Sequence, residues 1–174
     1  VPGQQLQTTA LLLARQPSGS DAFEQLTAFS AEHGILLCLR RIAKKAATAA
    51  AIPLDLFDEA ELWLESSNQG RTWFIREYRH LTRHPGIGRS YEVLKAAAAL
   101  ARVIAHNPVP DESRPAVAAL LRQSFAALEQ GARADLVWLK ALFCLLRDEG
   151  YPVKQHWWRH LPAADRAVAT QMLN

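Results

Sequence analysis

Hydrophobic and polar positions alternate with a period of two along much of the first half of the chain and recur every three to four residues in the second half. Residues 6–15 are rich in threonine and leucine and run into Gln16, Pro17, Ser18, Gly19 and Ser20, which predicts a strand followed by a turn. In residues 22–30, Phe23, Leu26 and Phe29 would also fit one helical face, but Gly34 follows closely and favours a strand leading into a hairpin. Residues 35–39 are apolar and suit a half-buried strand. Residues 46–51 are alanine-rich, end at Pro53 and predict a loop with a helical turn. Along 54–65, Leu54, Leu56, Asp58, Ala60, Leu62 and Leu64 fall on one side of a predicted strand; Ser66 to Gly70 has turn composition and residues 71–78 form the return. Five short strands with one longer connection after the third fit a small closed Greek-key barrel.

The period then changes. Pro85, Gly86 and Gly88 mark a boundary, placing an OB-fold-like five-stranded barrel in residues 1–80 and a helical domain in 81–174, an α+β chain overall. Val93, Ala97, Leu100 and Ile104 form an amphipathic stripe that stops at Asn107 and Pro108. Pro115 opens a second helix with Val117, Leu121, Phe125 and Leu128 on one face, closed by Gly131. The third, residues 132–149, is apolar around most of its circumference, which predicts a helix buried on several sides at the centre of a bundle. Gly150 and Pro152 end it, and a last short helix starts near Pro162.

Charge adds one feature to this outline. The net charge is only +3, but no acidic residue occurs from His33 to Leu54, so Arg40, Arg41, Lys44 and Lys45 leave the third strand as a cationic cluster without a carboxylate nearby in sequence. Such a cluster suits phosphate groups. Arg71 and Arg76, interleaved with Trp73, Phe74 and Tyr78, are lesser candidates; Arg76 and Tyr78 are expected beside Phe74 on the face better placed for stacking.

Catalytic chemistry finds no support. The chain contains no nucleophile elbow, phosphate-binding glycine loop or zinc-protease motif, and its acidic residues alternate faces along a strand. His156 and His160 share a helical spacing without a third ligand, and Cys38 and Cys144 form no paired motif, so neither a metal nor another cofactor is expected. Both thiols read as small buried hydrophobes of a reducing compartment, and the absence of a leader-like start or a spanning apolar run reads as cytoplasmic with no membrane partner.

Several segments in order resemble the recombination-mediator protein O (RecO) family of bacterial DNA repair. They are Thr9 to Leu13, Gly19 to Asp21, Phe29 to Gly34, Arg40 to Lys45, Ile52 to Leu54, Phe74 to Tyr78, and the leucine-rich Leu142 to Leu146 ending in Gly150 and Tyr151. The order spans residues 6–153. This chain has Ile42 where the family's basic segment carries glycine, and Lys154 to Trp158 where many members carry a four-cysteine zinc motif; it ends at Asn174, before a full-length member would, as a divergent or shortened form. The resemblance implies a non-enzymatic, nucleoid-associated protein that binds single- and double-stranded DNA without sequence specificity and anneals complementary strands. It further implies contact with the acidic tail of single-stranded DNA-binding protein and recombinase loading with a partner mediator. The alternative is an interaction scaffold of a repair complex whose barrel has lost DNA binding. Sequence gives no role to Trp157 and Trp158.

Overall fold

Residues 3–19, 22–42, 52–67 and 71–173 are described by the structure, a computed structural model. Five strands come first: β1 (Gln5–Pro17), β2 (Phe23–Ser30), β3 (Gly34–Arg41), β4 (Glu59–Ser67) and β5 (Thr72–Thr82). They close on themselves in the order β1-β2-β3-β5-β4, so that β1 pairs with β2 along its second half and with β4 along its first. All pairings are antiparallel except β3 with β5, a short parallel contact through Cys38–Trp73 and Leu39–Phe74. As the glycine after His33 predicted, Gly34 has φ of 69° and Ser30 stands opposite it across the hairpin.

The run of apolar residues in β1 reflects burial on both faces. Ala10 and Leu12 point into the ring with Leu26, Ala28, Leu36, Cys38, Leu62, Leu64 and Trp73. Leu11 and Leu13 point outward, where Phe29 and Phe57 join them against the helices. A bulge at Leu13, between the Leu12–Ala28 and Ala14–Thr27 pairs, adjusts the alternation.

Five helices follow: α1 (Tyr91–His106), α2 (Arg114–Glu129), α3 (Ala134–Asp148), α4 (Val153–His160) and α5 (Ala163–Leu173). The stripes read from sequence are the ones that pack: Ala97, Leu100 and Ile104 of α1 and Val117, Leu121, Phe125 and Leu128 of α2 are buried in the outward-facing cluster. That cluster is shared with β1 and β2. Residues 85–89 are consequently no loose linker: they form a short 3-10 turn whose Ile87 is buried in the same cluster and whose Gly86 N–H donates to Glu129 Oε2 at 2.6 Å.

Three expectations change. Residues 54–58 do not belong to the fourth strand; they form a turn held by Asp58, whose Oδ2 accepts the Asp55 N–H at 2.9 Å, and Phe57 there has φ of 69°. A left-handed phenylalanine costs about 1–2 kcal/mol, offset by burying its ring against Phe125 at 5.0 Å between centroids. Second, α3 is not central, since only its Ala141 is fully buried and the rest of its apolar surface is half-covered. Among the described residues, too few elements surround it to bury a helix apolar on all sides. Third, α4 was not anticipated; it starts directly after Pro152 and carries the tryptophan pair. The predicted helical turn at 46–51 lies outside the described residues. No helix among them is long and apolar enough to cross a membrane.

Candidate nucleic-acid interface

The register sets the two ends of the ring. β1 ends at Pro17 opposite Glu24 and β3 ends at Arg41 opposite Phe23, so the close of β1 and the exit of β3 share one end. β5 runs parallel to β3 through the Cys38–Trp73 and Leu39–Phe74 pairs, and the end of β4 lies against the start of β1, so Arg71, just before β5, falls toward the opposite end, where β1 and β3 begin.

The six cations separate into three groups. Arg41 and Arg71 are exposed and form no ion pair with any described residue. Lys44 and Lys45 lie outside the described residues. Arg40 and Arg76 are engaged by the protein's own carboxylates. Arg40 faces inward with its side chain only 13% exposed, paired with Glu24 and donating from Nη1 to the Leu54 carbonyl at 3.1 Å. Arg76 Nε meets Glu65 Oε2 at 2.6 Å, although its side chain is 63% exposed.

The premise that no carboxylate neutralises the cluster is thus incorrect for Arg40. Glu24 is distant in sequence but directly opposite in register. Counting back from the Ser30–Gly34 pair places Arg40 against Glu24, so the hairpin glycine already contained this information. Arg15 Nε reaches the other oxygen of Glu24 at 2.5 Å, which makes a buried carboxylate serving two cations at the mouth of the ring.

The aromatic residues are also rearranged. Trp73 is core, and Tyr78 packs against the inner cluster while its hydroxyl donates to the Ile52 carbonyl at 3.1 Å. Tyr78 does not share a face with Phe74 because Arg76 is a bulge residue: Trp63 pairs with Glu77 and Leu64 with Ile75, leaving Arg76 unpaired between them. Phe74 instead meets Phe23, with ring centroids 5.6 Å apart and planes at 60°. The Arg76 guanidinium carbon stands 6.0 Å from the Phe74 centroid. Sequence alone assigns Phe23 no part in the interface. Its even spacing from Gln25 and Thr27, opposite in phase to Leu26 and Ala28, is the signal that puts it outside the ring.

The outer face of β3 and β5 has no extended contact with any helix among the described residues. It presents Phe23, Leu39 and Phe74 half-buried, with Arg41 exposed alongside. Sequence-independent contact with a phosphate chain is within its chemistry. Among the described residues, no group of three or more histidine, cysteine or carboxylate side chains is placed to hold a metal ion; His156 and His160 are exposed on α4.

A second feature lies in the helices. Leu139, Leu142, Phe143 and Leu146 of α3, with Tyr151, Pro152, Val153 and His156, line an open groove of about 560 Å³ whose walls are almost wholly apolar. The sequence placed these leucines in a bundle centre; the structure leaves them facing a cleft.

No protein-family model and no curated protein matches the chain.

Proposed function

We propose that this protein is a DNA-binding recombination mediator of the RecO kind, which holds the sugar-phosphate chain without reading bases, anneals complementary strands and assists recombinase loading. The observation that carries this reading is a closed five-stranded ring whose third strand ends in Arg41, exposed and without an ion pair among the described residues, beside the Phe23–Phe74 contact. The strand order, with β1 shared by β2 and β4 and a parallel β3–β5 closure, is that expected of an OB-fold, in which the face of strands two and three and the flanking loops bind oligonucleotides. Arg41 has no acidic partner among the described residues, Lys44 and Lys45 follow it in sequence, and Arg71, likewise without one among the described residues, precedes β5. Phosphate contacts of this kind leave base edges open for pairing, as annealing requires.

The test is a titration of labelled oligonucleotide at two salt concentrations with wild type and an Arg41, Arg71, Lys44, Lys45→Glu variant. Arg40 is kept, because reversing it would leave buried Glu24 facing a second carboxylate. Four engaged cations correspond to a slope of roughly 3 in log K against log salt, and the variant should lose nearly all binding and all annealing. Absence of wild-type binding at low salt refutes the reading.

The apolar groove supports a second component, the docking of a partner protein. Its walls accept apolar side chains of an inserted segment, and the acidic tail of single-stranded DNA-binding protein is the partner this reading assigns to it. If DNA binding fails while Leu142→Asp still abolishes capture of that tail, the scaffold alternative is the correct one.

A further inference from the structure

We infer that Phe23 and Phe74 form a stacking platform for unpaired bases, so that the interface takes single-stranded DNA in preference to duplex. This rests on the reading of the ring end as a DNA site and specifies which form of DNA the site selects.

The first support is where the two rings are not. The inner cluster of the ring and the outer cluster under the helices take up the other large apolar residues of β1 and β2 and the buried tryptophan of β5, yet neither cluster includes Phe23 or Phe74, even among the partly buried residues packed against it. They touch each other instead, across β3 on an outer face where neither β3 nor β5 makes an extended contact with a helix among the described residues. A strand face that only met water would gain from polar residues at both positions.

The second support is the charge around the pair. Phe23 is directly opposite Arg41 and Phe74 is paired with Leu39, so two rings and a guanidinium with no ion pair among the described residues occupy adjacent strands, about 4.8 Å apart. Arg76 stands against Phe74, but Glu65 holds it. Its charge is already neutralised within the protein, and its part is to fix the ring rather than to meet a phosphate. The division of labour is then Arg41 for the backbone and the two phenyl rings for the bases. Stacking of this type accepts any base, in keeping with binding that does not read sequence. Duplex DNA keeps its base faces inside its own stack and can offer this surface only phosphates.

A mixed-sequence oligonucleotide and its duplex are titrated by fluorescence anisotropy against wild type, Phe23→Ala/Phe74→Ala and Phe23→Leu/Phe74→Leu. The leucine pair keeps apolar volume on the strands and removes only the aromatic faces, so it reports on stacking even if the alanine pair fails to fold. Both folded variants should bind the single strand about tenfold or more weaker, with duplex affinity changed less than about twofold because its phosphate contacts remain. An oligonucleotide carrying 2-aminopurine should be quenched on binding wild type and not the leucine pair. Unchanged single-strand affinity in the leucine pair, or an equal loss on duplex, overturns the platform while leaving DNA binding in place. Absence of wild-type binding to either form removes the DNA reading itself.

Discussion

Gly34 at the tip of the β2–β3 hairpin lies directly beneath the guanidinium of Arg114 at the start of α2: a Cβ built on Gly34 would fall 2.9 Å from Arg114 Nε and 3.2 Å from its Cζ. Arg114 is fixed from the other side by Asp111 Oδ1 at 2.5 Å and donates from Nη1 to the Glu32 carbonyl at 3.2 Å. One side chain thereby ties the helical half to the hairpin that delivers β3 to the candidate interface.

Gly34→Ala should therefore be destabilising for two separable reasons. A non-glycine residue at φ of 69° costs about 1–2 kcal/mol, and the new methyl displaces a side chain held by two partners. We expect a loss of about 2 kcal/mol in urea unfolding, from the backbone cost plus a modest contact cost. In an Arg114→Ala background the contact part disappears and only the backbone part remains. Equal losses in the two backgrounds would show that the approach of Arg114 has no energetic weight.

Glu24 should matter more than either cation it serves. Removing it strands the largely buried Arg40 without its carboxylate, and breaking a buried pair from one side costs about 3 kcal/mol or more. Arg15 is half-exposed, so Arg15→Ala should cost under about 1 kcal/mol. Replacing Arg40 and Glu24 together by Met and Leu should recover much of the loss, because the desolvation of both charges goes with them. Chemical unfolding of the three variants gives the ordering; an Arg15→Ala effect as large as that of Glu24→Ala would contradict it.

These two sites show what sequence could and could not tell. Alternation gave β4 its buried series of Ala60, Leu62 and Leu64, and helical spacing gave α1 and α2 their packed stripes, because in each case one face is covered and the other wet. The same reasoning failed where a covering depends on what is far away in sequence. Arg40 was counted as free because its acid is on the neighbouring strand. The apolar circumference of α3 reads as a central helix, although Leu142 and Leu146 line an open groove. Tyr78 was assigned to the face of Phe74 because a bulge at Arg76 is invisible to a strict period of two. The five-stranded ring was legible; the Glu24–Arg40 pair and the Phe23–Phe74 contact needed the register.

Acid should weaken the native state through His84. Burial holds its imidazole below the usual histidine range, although Glu129, Asp58 and Glu59 pull in the opposite direction. In the unfolded chain the ring titrates near about 6.5, so as pH falls through that value the unfolded state binds a proton that the native state refuses. Stability present above about pH 7 is then lost on acidification until the lowered native value is reached, where the loss levels off. Unfolding of wild type and His84→Leu, measured from pH 7.5 to 5, should show a difference that shrinks in this direction as wild type alone weakens. Subtracting the two removes the contribution of carboxylates such as Glu61 and Asp135. A difference independent of pH would place His84 in a wetter setting than the one described.

The two thiols should differ sharply in reactivity. Cys38 is completely buried inside the ring, where burial pushes its thiol up to about 12, so it offers almost no thiolate at neutral pH. Cys144 on α3 is only partly covered. With a thiol reagent under native conditions, one equivalent should react at Cys144, and Cys38 should label only at the rate of global unfolding, accelerating in step with urea. The Glu24→Ala protein provides the sharper comparison, since it weakens the mouth of the ring that encloses Cys38: labelling of Cys38 should rise by the factor that its stability falls, while Cys144 is unaffected. Rapid native labelling of Cys38 in wild type would mean that β3 and β5, joined through Cys38–Trp73 and Leu39–Phe74, part without unfolding the chain, and that the ring is closed only intermittently.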